Sequence, residues 1–315
     1  MKRLARVLSG VLLVFAFAIT VFVILSWAPD RSLDDLKARW APSPSEFIDI
    51  DGLSIHLRDQ GRRDDPEPIL LLHGTSASLH TWEGWVEELA KQRRVISLDF
   101  PGFGLTGPFP DNDYRVEHYT LFLLALLDHL QVNRVVLVGN SFGGQLAWRF
   151  ALTYPERSTR LVLVDAAGYP RNAESVPIGF RLAGIPALAP LMSRLLPRSM
   201  IESSVRNVYG NPDKVDDELV ERYYQLTLRA GNRQALRQRF VQAPSGELHQ
   251  RICELELPTL IIWGGRDRLI PPDNAERFAR DIEGSQLVLF DDLGHVPQEE
   301  DPQRTVAVLA GFLAR

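Results

Sequence analysis

The sequence predicts an α/β fold: an eight-stranded, mostly parallel sheet flanked by helices, with a helical cap inserted into it and a transmembrane helix at the N-terminus. Three observations carry this. Short apolar, β-branched runs alternate with helix-length amphipathic stretches from residue 46 onward. That alternation stops between Tyr169 and Glu256, 88 residues without a clear strand, and then resumes. The chain also begins with Val7 to Trp27, 21 residues without a charge.

As a helix this first stretch measures about 31 Å at 1.5 Å per residue, the thickness of a bilayer's hydrocarbon layer. A cleaved signal peptide competes with an anchor, but the apolar run is longer than the usual signal core, and the best small-x-small site, Ser26-Trp27-Ala28, runs into Pro29. Lys2, Arg3 and Arg6 precede the span, which places the N-terminus in the cytoplasm and the remaining domain outside it, in the periplasm if the chain is bacterial. Arg31, Lys37 and Arg39 follow at slightly greater distance. Residues 1–28 are therefore expected to form an anchor, and 29–45, with prolines at 42 and 44, a tether.

Residues 46–168 form the first part of the expected core. Glu46–Ile50 and Leu53–Arg58 alternate around Asp51-Gly52, a hairpin signal. Ile69–Leu72 is continuously apolar, as a strand buried on both faces should be, and runs into His73-Gly74-Thr75-Ser76. Leu79–Lys91 reads as an amphipathic helix, Val95–Leu98 as a strand ending at Asp99, and Val116–Leu130 as a helix. The run Val135-Val136-Leu137-Val138 then stops at Gly139-Asn140-Ser141-Phe142-Gly143. Gln145–Tyr154 reads as a helix whose small residues Gly143, Ala147 and Ala151 recur at i, i+4, i+8. Arg160–Val164 closes this part at Asp165. In the cap, residues 169–256, prolines at 170, 177, 186, 190, 197 and 212 leave only short helices, with Asp216–Arg229 the best defined. Residues 257–315 return to the core through strand Thr259–Trp263, helix Pro272–Asp281, strand Gln286–Phe290 and helix Gln303–Leu313.

Strand, sharp turn and helix around Gly-x-Ser-x-Gly suit a nucleophilic serine, because the turn lifts Oγ above the sheet edge and the helix N-terminus faces a developing oxyanion. The motif arises by chance on the order of once in ten chains of this length, so its company decides. Leu70-Leu71-Leu72-His73-Gly74-Thr75 precedes it, and Ile261-Ile262-Trp263-Gly264-Gly265-Arg266-Asp267 and Leu293-Gly294-His295 follow. Serine, acid and histidine thus occur in that order, each after a predicted strand. The chain resembles the α/β-hydrolase superfamily from roughly Phe47 to the C-terminus.

A serine hydroxyl needs a base, and the base a third group to hold its tautomer. Of seven histidines, His295 alone stands on a loop behind a glycine after the last strand. His56, His80, His118 and His129 fall on predicted strands or helices, and His249 in the cap. Asp267 matches the acid position the resemblance implies, and Asp165, after the sixth strand, is the alternative. Phe142 and Thr75 are the expected oxyanion donors through their main-chain N–H groups, with Ser76 as fallback. His73 is expected to hold its loop by ring hydrogen bonds, and Asp99 its own turn.

Serine at position 141 separates the chain from haloalkane dehalogenases and epoxide hydrolases, which use aspartate there. Gly139-Asn140-Ser141 resembles the meta-cleavage-product hydrolases, which cut carbon–carbon bonds. Two positions depart from them: His73-Gly74-Thr75-Ser76-Ala77-Ser78 stands where they carry His-Gly-Ser-Gly-Pro-Gly, and Val296 follows the histidine where they often carry an aromatic residue. The layout of anchor, core and cap is similar to that of membrane-anchored monoacylglycerol lipases. Together these imply hydrolysis of lipophilic carboxylic esters through an acyl-enzyme. The alternatives are carbon–carbon hydrolysis of vinylogous diketone acids, or a triad-bearing ligand receptor. Asn140, Phe180 and Leu188 are the expected substrate-binding residues, the last two from the apolar, proline-broken runs of the early cap.

The net charge of −5 gives no reason to expect nucleic acid as a partner. Cys253 is the only cysteine, which excludes an intramolecular disulfide and a cysteine-built metal site. No phosphate loop, zinc spacing or dinucleotide fingerprint occurs, so no cofactor or metal is expected.

Overall fold

The computed structural model describes residues 2–170, 173–242 and 248–315. Its centre is one eight-stranded sheet: β1 (Glu46–Ile50), β2 (Leu53–Gly61), β3 (Ile69–Leu72), β4 (Arg94–Leu98), β5 (Val135–Asn140), β6 (Ser158–Val164), β7 (Thr259–Gly264) and β8 (Gln286–Phe290). The order is β1-β2-β4-β3-β5-β6-β7-β8, with β2 antiparallel to both its neighbours and all later pairings parallel. The order reverses at β3, whose Leu72 lies beside Gly139 of β5. In open α/β sheets, sites form beyond the strand ends at such a reversal.

The central strands are buried on both faces because two helical layers cover them. Alternate residues separate accordingly. Leu70, Leu72, Leu137, Leu161, Leu163 and Trp263 enter one core, and Ile69, Leu71, Val136, Val138, Val162 and Ile262 the other. Helix α3 (Glu83–Leu89) packs on the C-terminal helices α12 (Pro297–Glu300) and α13 (Pro302–Leu313), where Trp85 donates to Thr305 Oγ1 at 2.9 Å. Helices α4 (Val116–His129), α5 (Phe142–Thr153) and α11 (Asp273–Asp281) complete the layers. Residues 79–91 are not one helix as expected. A 3-10 turn, Leu79–Trp82, precedes α3, since the Asp99 carboxylate captures the Leu79 N–H at 2.7 Å.

Between β6 and β7 stand α6 (Ile178–Ala183), α7 (Ala189–Met192), α8 (Arg198–Val208), α9 (Asp217–Thr227) and α10 (Asn232–Gln242). No strand interrupts them among the described residues. The N-terminal helix α1 (Lys2–Ser26) contains a 19-residue window, Leu8–Ser26, of mean hydropathy 2.8 that is not buried against the rest of the protein. It is long and apolar enough to cross a membrane.

The stretch expected to be a tether folds. Ser32 caps α2 (Leu33–Trp40) through a capping box with Asp35, and Leu36 and Trp40 are buried against Leu105 and Leu226. Ahead of α2 the chain is laced to the cap: Ala28 donates to the Arg194 carbonyl at 2.9 Å, Leu196 to that of Ser26 at 2.8 Å, and Arg31 to that of Leu228 at 2.7 Å. The end of the apolar helix is therefore hydrogen-bonded directly to the cap.

Candidate active site

The turn after β5 is tight for reasons legible atom by atom. Ser141 adopts φ 55°, a conformation that L-residues rarely take, between strand and helix. A Cβ on Gly143 would stand 2.1 Å from the Leu72 carbonyl oxygen, and one on Gly139 would stand 2.2 Å from that of Gly143, so neither position admits a side chain. Helix α5 thereby starts directly behind the serine, three residues earlier than expected. Phe142, its first residue, has a main-chain N–H without an intrahelical acceptor.

His295 Nδ1 and Asp267 Oδ2 are 2.6 Å apart, both groups buried. The other carboxylate oxygen of Asp267 accepts from Leu269 N–H at 2.8 Å and Ile270 N–H at 3.0 Å, which fixes the acid. The imidazole is thus held with Nδ1 toward the acid and Nε2 available. Ser141 and His295 line one cavity of about 380 Å³, with Gly74, Thr75 and Asn140 on its floor. In such arrangements the hydrogen bond from serine to histidine is often long without substrate and tightens on binding.

Asp165 is the second carboxyl here. One of its carboxyl oxygens, one of Asp267 and one ring nitrogen of His295 lie within 4.8 Å of one another. Burial first, then the Asp267 charge, pushes its carboxyl well above the usual carboxylate range. Its Oδ1 accepts from Gly264 N–H at 3.0 Å, and the raised pKa, to which a hydrogen bond with Asp267 contributes, favours the protonated carboxyl. Two carboxylates and a histidine could hold a metal in principle, but the direct 2.6 Å contact leaves no room for an ion between His295 and Asp267.

The loop after β3 is held as expected. His73 Nε2 accepts from Phe100 N–H at 3.0 Å, so Nδ1 carries the proton and donates to the Gly74 carbonyl at 2.7 Å. Burial lowers its pKa, which keeps it neutral. Asp99 accepts from Leu79 and Leu105 N–H and pairs with His56 Nδ1 at 2.7 Å. Burial acts to raise its pKa, but His56 and the neighbouring imidazoles outweigh this and hold it below the carboxylate range.

The expected substrate-binding residues separate. Phe180 lines the cavity, together with Ala183, Leu196 and Met200. Leu188 does not: it ends a 3-10 turn outside the lining. Asn140 lines the floor, but its amide donates to the carbonyls of Val164 at 3.1 Å and His295 at 2.9 Å, and so ties the histidine loop to the sheet.

Two residues that sequence reasoning missed hold this assembly. Glu300 accepts three main-chain N–H groups, from Gly210 at 2.9 Å, Asn211 at 2.8 Å and Gly294 at 2.9 Å, joining the cap to the histidine loop. Arg239 of α10 donates to the Thr75 hydroxyl and lies 3.7 Å from the centroid of the Phe142 ring. The available signal was α10 itself, three arginines and no acid in eleven residues of an acidic chain.

Residues 67–302 match the family described as the alpha/beta hydrolase fold. The chain belongs to this family. A 2-hydroxy-6-oxo-2,4-heptadienoate hydrolase from Pseudomonas putida is 34% identical over 84% of this chain and 94% of its own length. A meta-cleavage product hydrolase from Pseudomonas fluorescens superposes with TM-score 0.73 at 26% identity, covering 85% of this chain and 97% of that one. The structure of a membrane phospholipase A described as a bacterial virulence factor has TM-score 0.73 at 26% identity, and covers 100% of this chain and 98% of that one. The protein is therefore a hydrolase of this family, and the proteins it resembles carry different hydrolase names.

Proposed function

We propose that this α/β-hydrolase cleaves carboxylic esters of lipophilic substrates through an acyl-enzyme on Ser141. His295 takes the serine proton and later returns it to the leaving alcohol, while Asp267 holds the imidazole and stabilises the imidazolium. The N–H groups of Phe142 and Thr75 receive the oxyanion. A water, activated by His295, then releases the acid and restores the serine. The apolar N-terminal helix anchors the enzyme, with its catalytic domain on the extracytoplasmic side.

The observation that carries the ester reading is the apolar cavity wall built by the cap, from Phe180 to Ile201, on a cap laced to the end of a membrane-length helix. The membrane phospholipase A supports it, since its likeness extends over the whole chain, N-terminal helix included. A second reading, carbon–carbon hydrolysis of vinylogous diketone acids, is the one the curated relatives favour. The hydrolases at 34% and 32% identity are both named for such substrates, and they support it better than they support ester cleavage. In that reading the same serine and histidine act on a ketone.

One comparison separates the readings. kcat/KM is measured for p-nitrophenyl and glyceryl esters of graded chain length and for 2-hydroxy-6-oxo-dienoic acids. The ester reading expects medium-chain esters to exceed every dienoic acid. A dienoic acid exceeding every ester assigns the enzyme to carbon–carbon hydrolysis.

A further inference from the structure

Helix α10 presents Arg233 and Arg237 to the cavity at i and i+4, one above the other on the same face. The first is neutralised: Arg233 pairs with Asp30, just beyond the membrane helix, and donates to the Met192 carbonyl. Arg239, on the same helix, is engaged by Thr75 and Phe142. Arg237 differs from both. It makes no ion pair or hydrogen bond with any described residue; its Nε, like those of Arg233 and Arg239, is buried without an acceptor.

No aspartate or glutamate stands among the described residues that line the cavity. A half-buried guanidinium without a counter-charge, one helical turn from a second arginine, is destabilising. The remaining wall around Phe180, Ala183, Leu196, Met200 and Ile201 is apolar. The cavity thus offers a long apolar surface and one unneutralised cation suited to a planar or tetrahedral oxyanion.

We propose that Arg237 is a specificity-determining anion site, and that the natural substrate is an amphiphile carrying an acyl chain and an anionic phosphate or carboxylate group. This rests on the reading of the cavity as the substrate site and narrows the substrate class. The acyl chain lies along the cap wall and the anion pairs with Arg237, so a neutral substrate of equal length forgoes the ion pair.

The test uses binding, which needs no turnover. Full-length protein in a neutral detergent is titrated with hexyl phosphate, hexanoate and hexyl glucoside, all below micelle formation, and each ligand is also tested for protection of Ser141 against a fluorophosphonate. At least one of the two anions is expected to bind tenfold or more tightly than hexyl glucoside, with an affinity that falls as salt rises. The preferred anion distinguishes a phosphate from a carboxylate substrate. Arg237→Gln should erase the preference while leaving hexyl glucoside affinity unchanged, and Arg237→Lys should retain part of it. Equal affinity for all three ligands in the wild type overturns the proposal, as does an Arg237→Gln protein that still prefers the anion. Failure of the fluorophosphonate to label Ser141 would instead count against the hydrolytic assignment, and leaves the binding comparison readable.

Discussion

Glu300→Gln tests whether the cap and the histidine loop are joined by one carboxylate. In the wild type, Oε2 accepts from Gly210 and Gly294 and Oε1 from Asn211, all within 2.9 Å, with the side chain almost fully buried. Glutamine supplies one acceptor oxygen, so its carbonyl can serve Gly210 and Gly294 while its NH2 faces the Asn211 N–H. One buried donor then loses its partner, at about 1–3 kcal/mol, and two charge-assisted bonds become neutral ones, at about 1 kcal/mol each. The expected destabilisation is about 3–5 kcal/mol, read as a fall in the urea midpoint at unchanged m. Gly294 precedes His295, and a misplacement near 1 Å can cost about 100-fold, so kcat should fall by about that factor under conditions where the variant is folded. A loss below about 1 kcal/mol with kcat unchanged would refute the coupling.

Asp267→Asn should reduce kcat by on the order of 10³-fold or more, because the amide presents the wrong partner to Nδ1, whereas Asp165→Asn should be mild. The reverse order would make Asp165 the acid. Asp165 holds a raised pKa in the fold, so its contribution to stability is full below the unfolded value of about 3.9 and is lost as pH rises toward the folded value. Asparagine keeps both hydrogen bonds and cannot ionise, so the stability advantage of Asp165→Asn over wild type should grow with pH above about 4. A difference that is constant with pH, measured by thermal unfolding, would contradict the protonated state. Deleting residues 1–25 should release a folded enzyme. Deleting 1–40 should not, because it removes the pairing of Ser26 to Arg31 with the cap and the buried Leu36 and Trp40. Leu36→Ala alone should cost about 2–5 kcal/mol, and a loss under 1 kcal/mol would mean α2 is not part of the folded unit. Phe180→Asp should flatten the preference for longer acyl chains while Leu188→Asp leaves it, since only Phe180 lines the cavity; equal effects of the two would place the chain elsewhere.

The sheet was legible in the sequence because strands buried on both faces are written as unbroken apolar runs, as Ile69–Leu72 and Val135–Val138 are. The turn at Ser141 was legible for a related reason: glycines at 139 and 143 are demanded by carbonyls about 2 Å from where their Cβ atoms would stand. What escaped lies where side chains act across the chain rather than along it. Glu300 sits beside Glu299 in a short helix and reads as a solvated acid; its three partners come from residues 6 to 90 positions away. Helix α2 was obscured because Pro42 and Pro44 just beyond it give the stretch a linker's composition, although Ser32 and Asp35 carry the spacing of a capping box. Helix α10 has almost no apolar periodicity, and its three arginines acquire meaning only from what they face.

The proposed mechanism makes Ser141 a nucleophile activated by the His295–Asp267 pair. Mass spectrometry of the full-length protein after brief exposure to a fluorophosphonate tests it most directly. A single phosphonyl adduct is expected on the peptide bearing Ser141, absent in Ser141→Ala and strongly slowed in His295→Ala. An unmodified protein, or an adduct on another residue that survives Ser141→Ala, would contradict it.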